Sequence, residues 1–229
     1  MQVLFLPGFM CDERLFSEQI RYLKKRNFSC HFVKLDQQAS IEEMADYTLS
    51  LFEDPLVLVG LSMGGIVALE TVRRAPERIL ALALLNATPF EDSLGHARLE
   101  QIAAVNREGV DNLYMNVLKP QYIAAENRQP ELMDLVIKMA QDLGPTVFER
   151  QSRALAARIG IETFLPQIKQ KVLILTGEED LVCGPEVAQG MQSLINNAVL
   201  TCVPNCGHLS TLEQSKMVAH ALAGFLEGL

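Results

Sequence analysis

Gly60-Leu61-Ser62-Met63-Gly64 is the stretch of this sequence with the strongest claim to chemistry. The apolar run Val57-Leu58-Val59 leads into it and Ile66-Val67-Ala68-Leu69 leads out, so the spacing predicts a strand, a sharp turn and a helix. Such a turn strains the backbone at the serine, which is tolerable because Gly60 and Gly64 carry no side chains to collide with the neighbouring chain. Ser62 then projects from the top of a sheet, and the helix behind it, expected to run to about Arg74-Ala75 before Pro76, turns its free N–H groups toward the serine. The chemistry is that of a hydroxyl nucleophile whose developing negative charge is stabilised. The pattern alone is weak, since about one unrelated chain of this length in fifteen contains it at ordinary glycine and serine frequencies, and the plain reading is a glycine-rich turn. Strand before and helix after favour the nucleophile, and a base and an acid are then required.

The elements that must position them follow the apolar runs. Val3–Leu6, Ser29–Leu35, the run before Ser62, Ile79–Leu85, Val172–Gly177 and Ala198–Val203 read as strands, with helical patterns between them. Asp12 is a helix N-cap candidate, and Ser40-Ile41-Glu42-Glu43 matches a capping box. From Thr88-Pro89 to about Pro166 strand signals stop, and segments near 94–106, 110–118, 130–143 and 146–158 look helical. Near-continuous apolar strands alternating with helices imply a doubly wound, six-stranded parallel sheet covered on both faces, an α/β fold. The expected organisation is a core of residues 1–88 and 167–229 with a helical cap inserted over 89–166. Ligands in such sheets bind beyond the carboxyl ends of the strands. Ser62, Asp180 in Thr176-Gly177-Glu178-Glu179-Asp180 and His208 in Cys206-Gly207-His208 each stand just after a strand.

This order, Ser then Asp then His, resembles the α/β-hydrolase superfamily over nearly the whole chain, and most closely its small capped esterases, thioesterases, acyltransferase-like proteins and cofactor-free lyases. Gly60–Gly64 looks like the family's nucleophile elbow, the Gly-x-x-Asp segment ending in Asp180 like its acid loop, and Gly207-His208 followed by Leu212-Glu213 like its histidine loop. The resemblance implies Ser62 as nucleophile, His208 as general base and Asp180 as the group that orients the imidazole. It also implies an oxyanion hole from the Met63 N–H and an N–H of the loop after the first strand, where Phe9 is the best match and Met10 the alternate. Two departures stand out: Pro7-Gly8 replaces the family's frequent His-Gly, and the two strands that usually precede the one at Val3–Leu6 are not expected here.

Other residues carry two readings. Glu178 and Glu179 are solvated turn acids or replacements for Asp180, with motif spacing favouring Asp180, and His31, His96 and His220 fit the base's location worse than His208. Cys11, Cys183 and Cys206 are small apolar residues or oxidant-sensitive thiols near the site. Arg150, Arg153 and Arg158 share about one helix face, as solvated charge or as anchors for a substrate carboxylate or a phosphate-bearing carrier. Met10, Tyr114 and Met115 are candidate substrate-binding residues, and Leu118, Tyr122, Met133 and Met139 join Tyr114 and Met115 in either lining an acyl pocket or packing the cap.

The whole chain narrows the classes. A net charge of −8 and a pI near 5.1 argue against a nucleic-acid or anionic-membrane surface. Met1–Met10 lacks the basic start of a signal peptide and is too short for a membrane span, so a cytoplasmic protein is expected. Five cysteines without a C-x-x-C pair read as reduced thiols with no metal site. The expected function is a serine hydrolase that cleaves a small-molecule carboxylic ester or thioester through an acyl-serine intermediate, without metal or cofactor. A lyase or acyltransferase using the same three residues is the alternative, and a ligand-binding protein on the same scaffold the third reading.

Overall fold

The apolar runs become strands β1 (Gln2–Leu6), β2 (Ser29–Phe32), β3 (Leu56–Leu61), β4 (Ile79–Leu85), β5 (Lys171–Gly177) and β6 (Ala198–Val203). The computed structural model describes residues 1–91, 95–113 and 119–229. All six strands pair in parallel in the order β2-β1-β3-β4-β5-β6, matching the expected doubly wound six-stranded sheet. β3 is buried at every position and β4 at every position but Leu80, as strands covered on both faces must be. Their cover comes from α1 (Ser17–Lys24), α2 (Ile41–Ser50), α3 (Met63–Arg74), α8 (Pro185–Leu194) and α9 (Ser215–Glu227), with α1 packed on α9 and α2 on α3. Their apolar faces and the strands form one buried cluster that extends into the helical segment through residues such as Met139 and Phe148.

Local sequence rules account for the helix starts. The Ser40 hydroxyl accepts from the Glu43 N–H at 3.1 Å, and Glu43 reaches back one residue beyond the usual capping box, to the Ala39 N–H at 2.7 Å. Asp12 caps a short 3₁₀ turn, Glu13–Phe16, before α1 begins. The second strand ends at Phe32, short of the expected Leu35, although the Val33 N–H still donates to Phe5 O at 3.0 Å.

Between β4 and β5 run α4 (Gly95–Glu108), α5 (Val110–Leu113), α6 (Lys119–Tyr122) and α7 (Pro130–Ala157). Gly144-Pro145 breaks α7 into the two helical stretches expected on either side of it, since Gly144 lies at φ 76° and ψ 177°, outside the helical region, and the proline starts the second stretch where its missing N–H is no loss. α4 and α5 pack on α7, and no described helix is long and apolar enough to cross a membrane.

Register decides where function can sit. Leu61 pairs with Leu85, Leu85 with Leu175 and Gly177 with Val203, so the carboxyl ends of β3 to β6 lie side by side. Residues 62, 86, 180 and 208 follow those ends and reach the same rim of the sheet.

Candidate active site

Ser62 leaves β3 in a conformation that few non-glycine residues adopt, φ 53° and ψ −114°, and caps the start of α3. The turn is possible because of the glycines on either side. A Cβ on Gly60 would stand 2.3 Å from Gly64 O, and one on Gly64 only 1.9 Å from Leu6 O. The strain is held in place by the Ser62 N–H donating to Leu85 O at 2.9 Å. The result aims the Ser62 Oγ at His208 Nε2, 2.8 Å away.

His208 is buried, and its Nδ1 faces both carboxylate oxygens of Asp180, at 3.0 and 2.9 Å. A carboxylate only accepts, so the proton sits on Nδ1 and Nε2 is left to accept from the serine hydroxyl. Asp180 is buried as well. Burial works against its charge, but the His208 ring, the Asn86 amide and the Cys183 N–H overcome that and hold the carboxyl below its ordinary range. Asp180 Oδ1 accepts from the N–H groups of Val182 and Cys183 at 2.8 and 2.9 Å, and Oδ2 from Asn86 Nδ2 at 2.8 Å. Asn86 in turn donates to Gly207 O at 3.2 Å and accepts from the Ser210 hydroxyl at 2.6 Å.

The histidine loop is gripped from outside. Glu213 accepts from the N–H groups of Gly207, Leu209 and Ala124 at 3.0, 3.1 and 2.9 Å, while Tyr122 O accepts from His208 N and Leu209 N. The Tyr122 ring lies on the His208 ring with centroids 5.4 Å apart. Glu213 was read from sequence only as part of the histidine loop, and Asn86, Ser210 and Tyr122 were given no place in this network.

Among the described residues, no backbone or side-chain acceptor takes the N–H of Phe9 or Met63, and both residues line the cavity that opens on Ser62. Met10, by contrast, is 1% exposed, and its N–H donates to Gln151 Oε1 at 2.9 Å. Its amide is thereby spent, and Met10 lies outside that cavity's lining, against its expected place as alternate donor and substrate contact. Tyr114, Met115 and Leu118 lie outside the described residues. Met133 and Met139 are buried in the packing of α7, and Tyr122 lines the cavity.

The cavity measures about 270 Å³. Of the three arginines expected on one helix face, only Arg158 reaches it. Arg150 donates to Asp36 O and Arg153 pairs with Glu149. Arg98, from α4, lines it too. A separate cavity bounded by Cys11, Lys34, Asp36 and Asp142 contains neither Ser62 nor His208. Glu178 and Glu179 are exposed, His31 bonds Ser29 and Gln2, and His220 packs on Tyr22. The thiols of Cys11, Cys183 and Cys206 are buried, and burial pushes all three up, that of Cys11 to about 12. Buried thiols of this kind behave as small apolar groups.

The arrangement can move one proton from a hydroxyl to an imidazole beside a fixed negative charge, next to two unused N–H groups. Comparison with known proteins places it in context. Residues 3–221 match the family model described as the alpha/beta hydrolase family. Among curated proteins, the pimeloyl-[acyl-carrier protein] methyl ester esterase of Nitrosospira multiformis is 24% identical over 181 residues, covering 75% of this chain and 68% of that protein. Among solved structures, a thermophilic esterase from Thermogutta terrifontis superposes with a TM-score of 0.92 at 24% identity, covering 100% of this chain and 90% of that one. An enol-lactonase from Burkholderia xenovorans gives 0.90 at 20% identity, covering 99% and 91%. At these identities the structural likeness speaks to the fold.

Proposed function

The chain belongs to the alpha/beta hydrolase family, and from that premise we propose that it is a serine hydrolase cleaving a small carboxylic ester or thioester through an acyl-Ser62 intermediate. The observation that carries the reading is the continuous relay from Ser62 Oγ to His208 Nε2 at 2.8 Å and from His208 Nδ1 to Asp180 at 2.9 Å. His208 takes the Ser62 proton as Oγ attacks the substrate carbonyl, and Asp180 stabilises the imidazolium that forms. The oxyanion of the tetrahedral intermediate is held by the Met63 and Phe9 N–H groups. The imidazolium then protonates the leaving alcohol or thiol, and a water deprotonated by His208 releases the acid and restores the serine. Each proton transfer is assigned to a group of this chain. Residues 89–166 act as a cap on the core, supplying Tyr122, Arg98 and Arg158 to the cavity wall.

The test is direct. A fluorophosphonate probe should label the wild type and not Ser62→Ala, and turnover of short 4-nitrophenyl esters should be lost in Ser62→Ala and in His208→Ala. Mass spectrometry of the quenched reaction should find the acyl group on Ser62. Persistence of ester turnover in both variants overturns the assignment. Turnover of a β-keto or hydroxy acid without any acyl-enzyme points to the lyase instead.

A further inference from the structure

Tyr122 meets His208 in two ways. Its carbonyl, at the end of α6, accepts from the N–H groups of His208 and Leu209 at 2.9 and 3.2 Å. Its ring lies against the imidazole, with centroids 5.4 Å apart and planes 37° from each other. The main-chain bonds hold residue 122 beside the base whatever side chain it carries, so the placement of the histidine loop does not depend on the ring.

What the ring adds is a surface for charge. His208 is 2% exposed, and an imidazolium so far from water loses the solvation that would stabilise it. The Asp180 carboxylate answers that loss at Nδ1, across 2.9 Å and in the plane of the imidazole. Tyr122 meets the imidazole from outside that plane. The negative face of an aromatic ring attracts a cation within about 6 Å of its centroid, and more strongly where water is excluded. Desolvation pushes the Tyr122 phenol up, so the ring meets the imidazolium as a neutral π system and not as a phenolate. Nε2 of the resting imidazole accepts from the Ser62 hydroxyl, so the positive charge appears only when Nε2 takes the proton of Ser62 or, in the second half of the reaction, of water. An interaction that strengthens at that moment raises kcat and leaves substrate binding as it was. The Tyr122 side chain also forms part of the wall of the cavity over Ser62, where a role in holding substrate would show in KM instead.

We propose that Tyr122 is a positioning residue for the reaction, acting through His208: the face of its ring stabilises the imidazolium in both the acylation and the deacylation step. The inference rests on the reading of Ser62 as nucleophile and His208 as its base.

Substitutions that keep the ring's shape and drain its face test it. In Tyr122→Leu, kcat on 4-nitrophenyl acetate should fall about tenfold or more with KM within about twofold of wild type, and Tyr122→Phe should recover most of that loss. Fluorinated phenylalanines placed at position 122 by amber suppression change the ring's size little but withdraw charge from its face. Turnover should therefore fall step by step from phenylalanine through the mono-, di- and trifluorinated rings toward the leucine value. The rate at which a fluorophosphonate labels Ser62, which needs the same proton transfer, should follow the same order. A kcat that is flat across the fluorinated series, or a loss carried by KM, overturns the proposal. So does a Tyr122→Phe variant as slow as Tyr122→Leu, which would assign the effect to the hydroxyl. Thermal melting checks that each variant is folded, and the fluorinated series serves if Tyr122→Leu is not. A wild type that neither turns over esters nor takes the label brings down the nucleophile reading and this inference with it, whereas an active wild type with a flat series brings down this inference alone.

Discussion

Replacing Asn86 by aspartate changes one donor into an acceptor and little else. Asn86 sits at φ 49°, a left-handed conformation that Asn and Asp tolerate better than alanine does, so the backbone has no reason to move. The oxygen that accepts from Ser210 is also kept. What is lost is the amide that donates to Asp180 Oδ2 across 2.8 Å, and two carboxylate oxygens then face each other over that gap. At an effective dielectric of about 20 their repulsion is about 6 kcal/mol, equivalent to roughly four pKa units. Taking up one proton at pH 7 costs about 4 kcal/mol for a carboxyl that normally titrates near 4, so the pair is singly protonated at neutral pH. The folded variant therefore binds about one proton more than its unfolded chain between pH 5 and 7, and its stability must fall as pH rises, by about 1.4 kcal/mol per unit. Urea unfolding of wild type and Asn86→Asp at pH 5, 6 and 7 should give a stability difference that widens at that slope, to about 4 kcal/mol at pH 7. The lost bond to Gly207 O adds a constant of about 1 kcal/mol. In the same variant the negative charge facing His208 is shared with a proton, and kcat at pH 7 should drop by about 10²-fold with KM little changed. A stability difference that stays flat across those pH values would mean that side chain 86 does not face the Asp180 carboxylate.

Gly64→Ala drives a Cβ to 1.9 Å from Leu6 O, a clash with backbone that cannot be relieved by a rotamer, and should cost about 3 kcal/mol or more in urea unfolding or prevent soluble expression. Glu213→Ala frees the N–H groups of Gly207, Leu209 and Ala124 from their common carboxylate, and should lower kcat more than it raises KM while destabilising the fold by about 3 kcal/mol. Asp180 is held ionised in the folded state below its ordinary pKa of 3.8, so its contribution is present at neutral pH and lost as pH falls through the folded value. The melting-temperature gap between wild type and Asp180→Asn should accordingly close only below about pH 4. Of the five cysteines only Cys202 is exposed, so Ellman's reagent should titrate one fast thiol in the folded protein and five after denaturation.

Sequence reading succeeded where the cause of structure is local. The six apolar runs became the six strands, and Gly60 and Gly64 mark a turn whose crowding is visible in the residue types alone. Ser62, Asp180 and His208 were singled out because each follows a strand and a turn, and the structure brings their side chains within hydrogen-bonding distance. Asn86 went unremarked as a partner because its significance depends on Asp180, 94 residues away, and an asparagine after a strand has no signature of its own. Gln151 was equally hidden. It lies in a helix of ordinary amphipathic pattern and meets the Met10 N–H across 141 residues. By contrast, Gly144-Pro145 was legible for a local reason, since a glycine at φ 76° and ψ 177° followed by a proline interrupts α7 where the sequence places the break.

Those long-range contacts change what the helical segment between β4 and β5 does. Gln151 is buried, and one amide both accepts from Met10 N–H at 2.9 Å and donates to Leu35 O at 2.8 Å, tying α7 to the loop that carries Phe9. On the far side of the relay in the chain, Tyr122 O and Glu213 tie residues 122–124 to the loop that carries His208. Swinging this segment away would exchange these hydrogen bonds for bonds to water, at a net cost of about 0.5–1.5 kcal/mol each. The segment that shapes the cavity thus also helps to position the Phe9 loop and the imidazole. Substitutions at Gln151 far from Ser62 in sequence should then act on rate through the Phe9 N–H: Gln151→Leu keeps the side chain's bulk, strands the Met10 N–H, and should lower kcat on every ester alike. A loss confined to KM would detach α7 from that loop and leave it a wall of the cavity only.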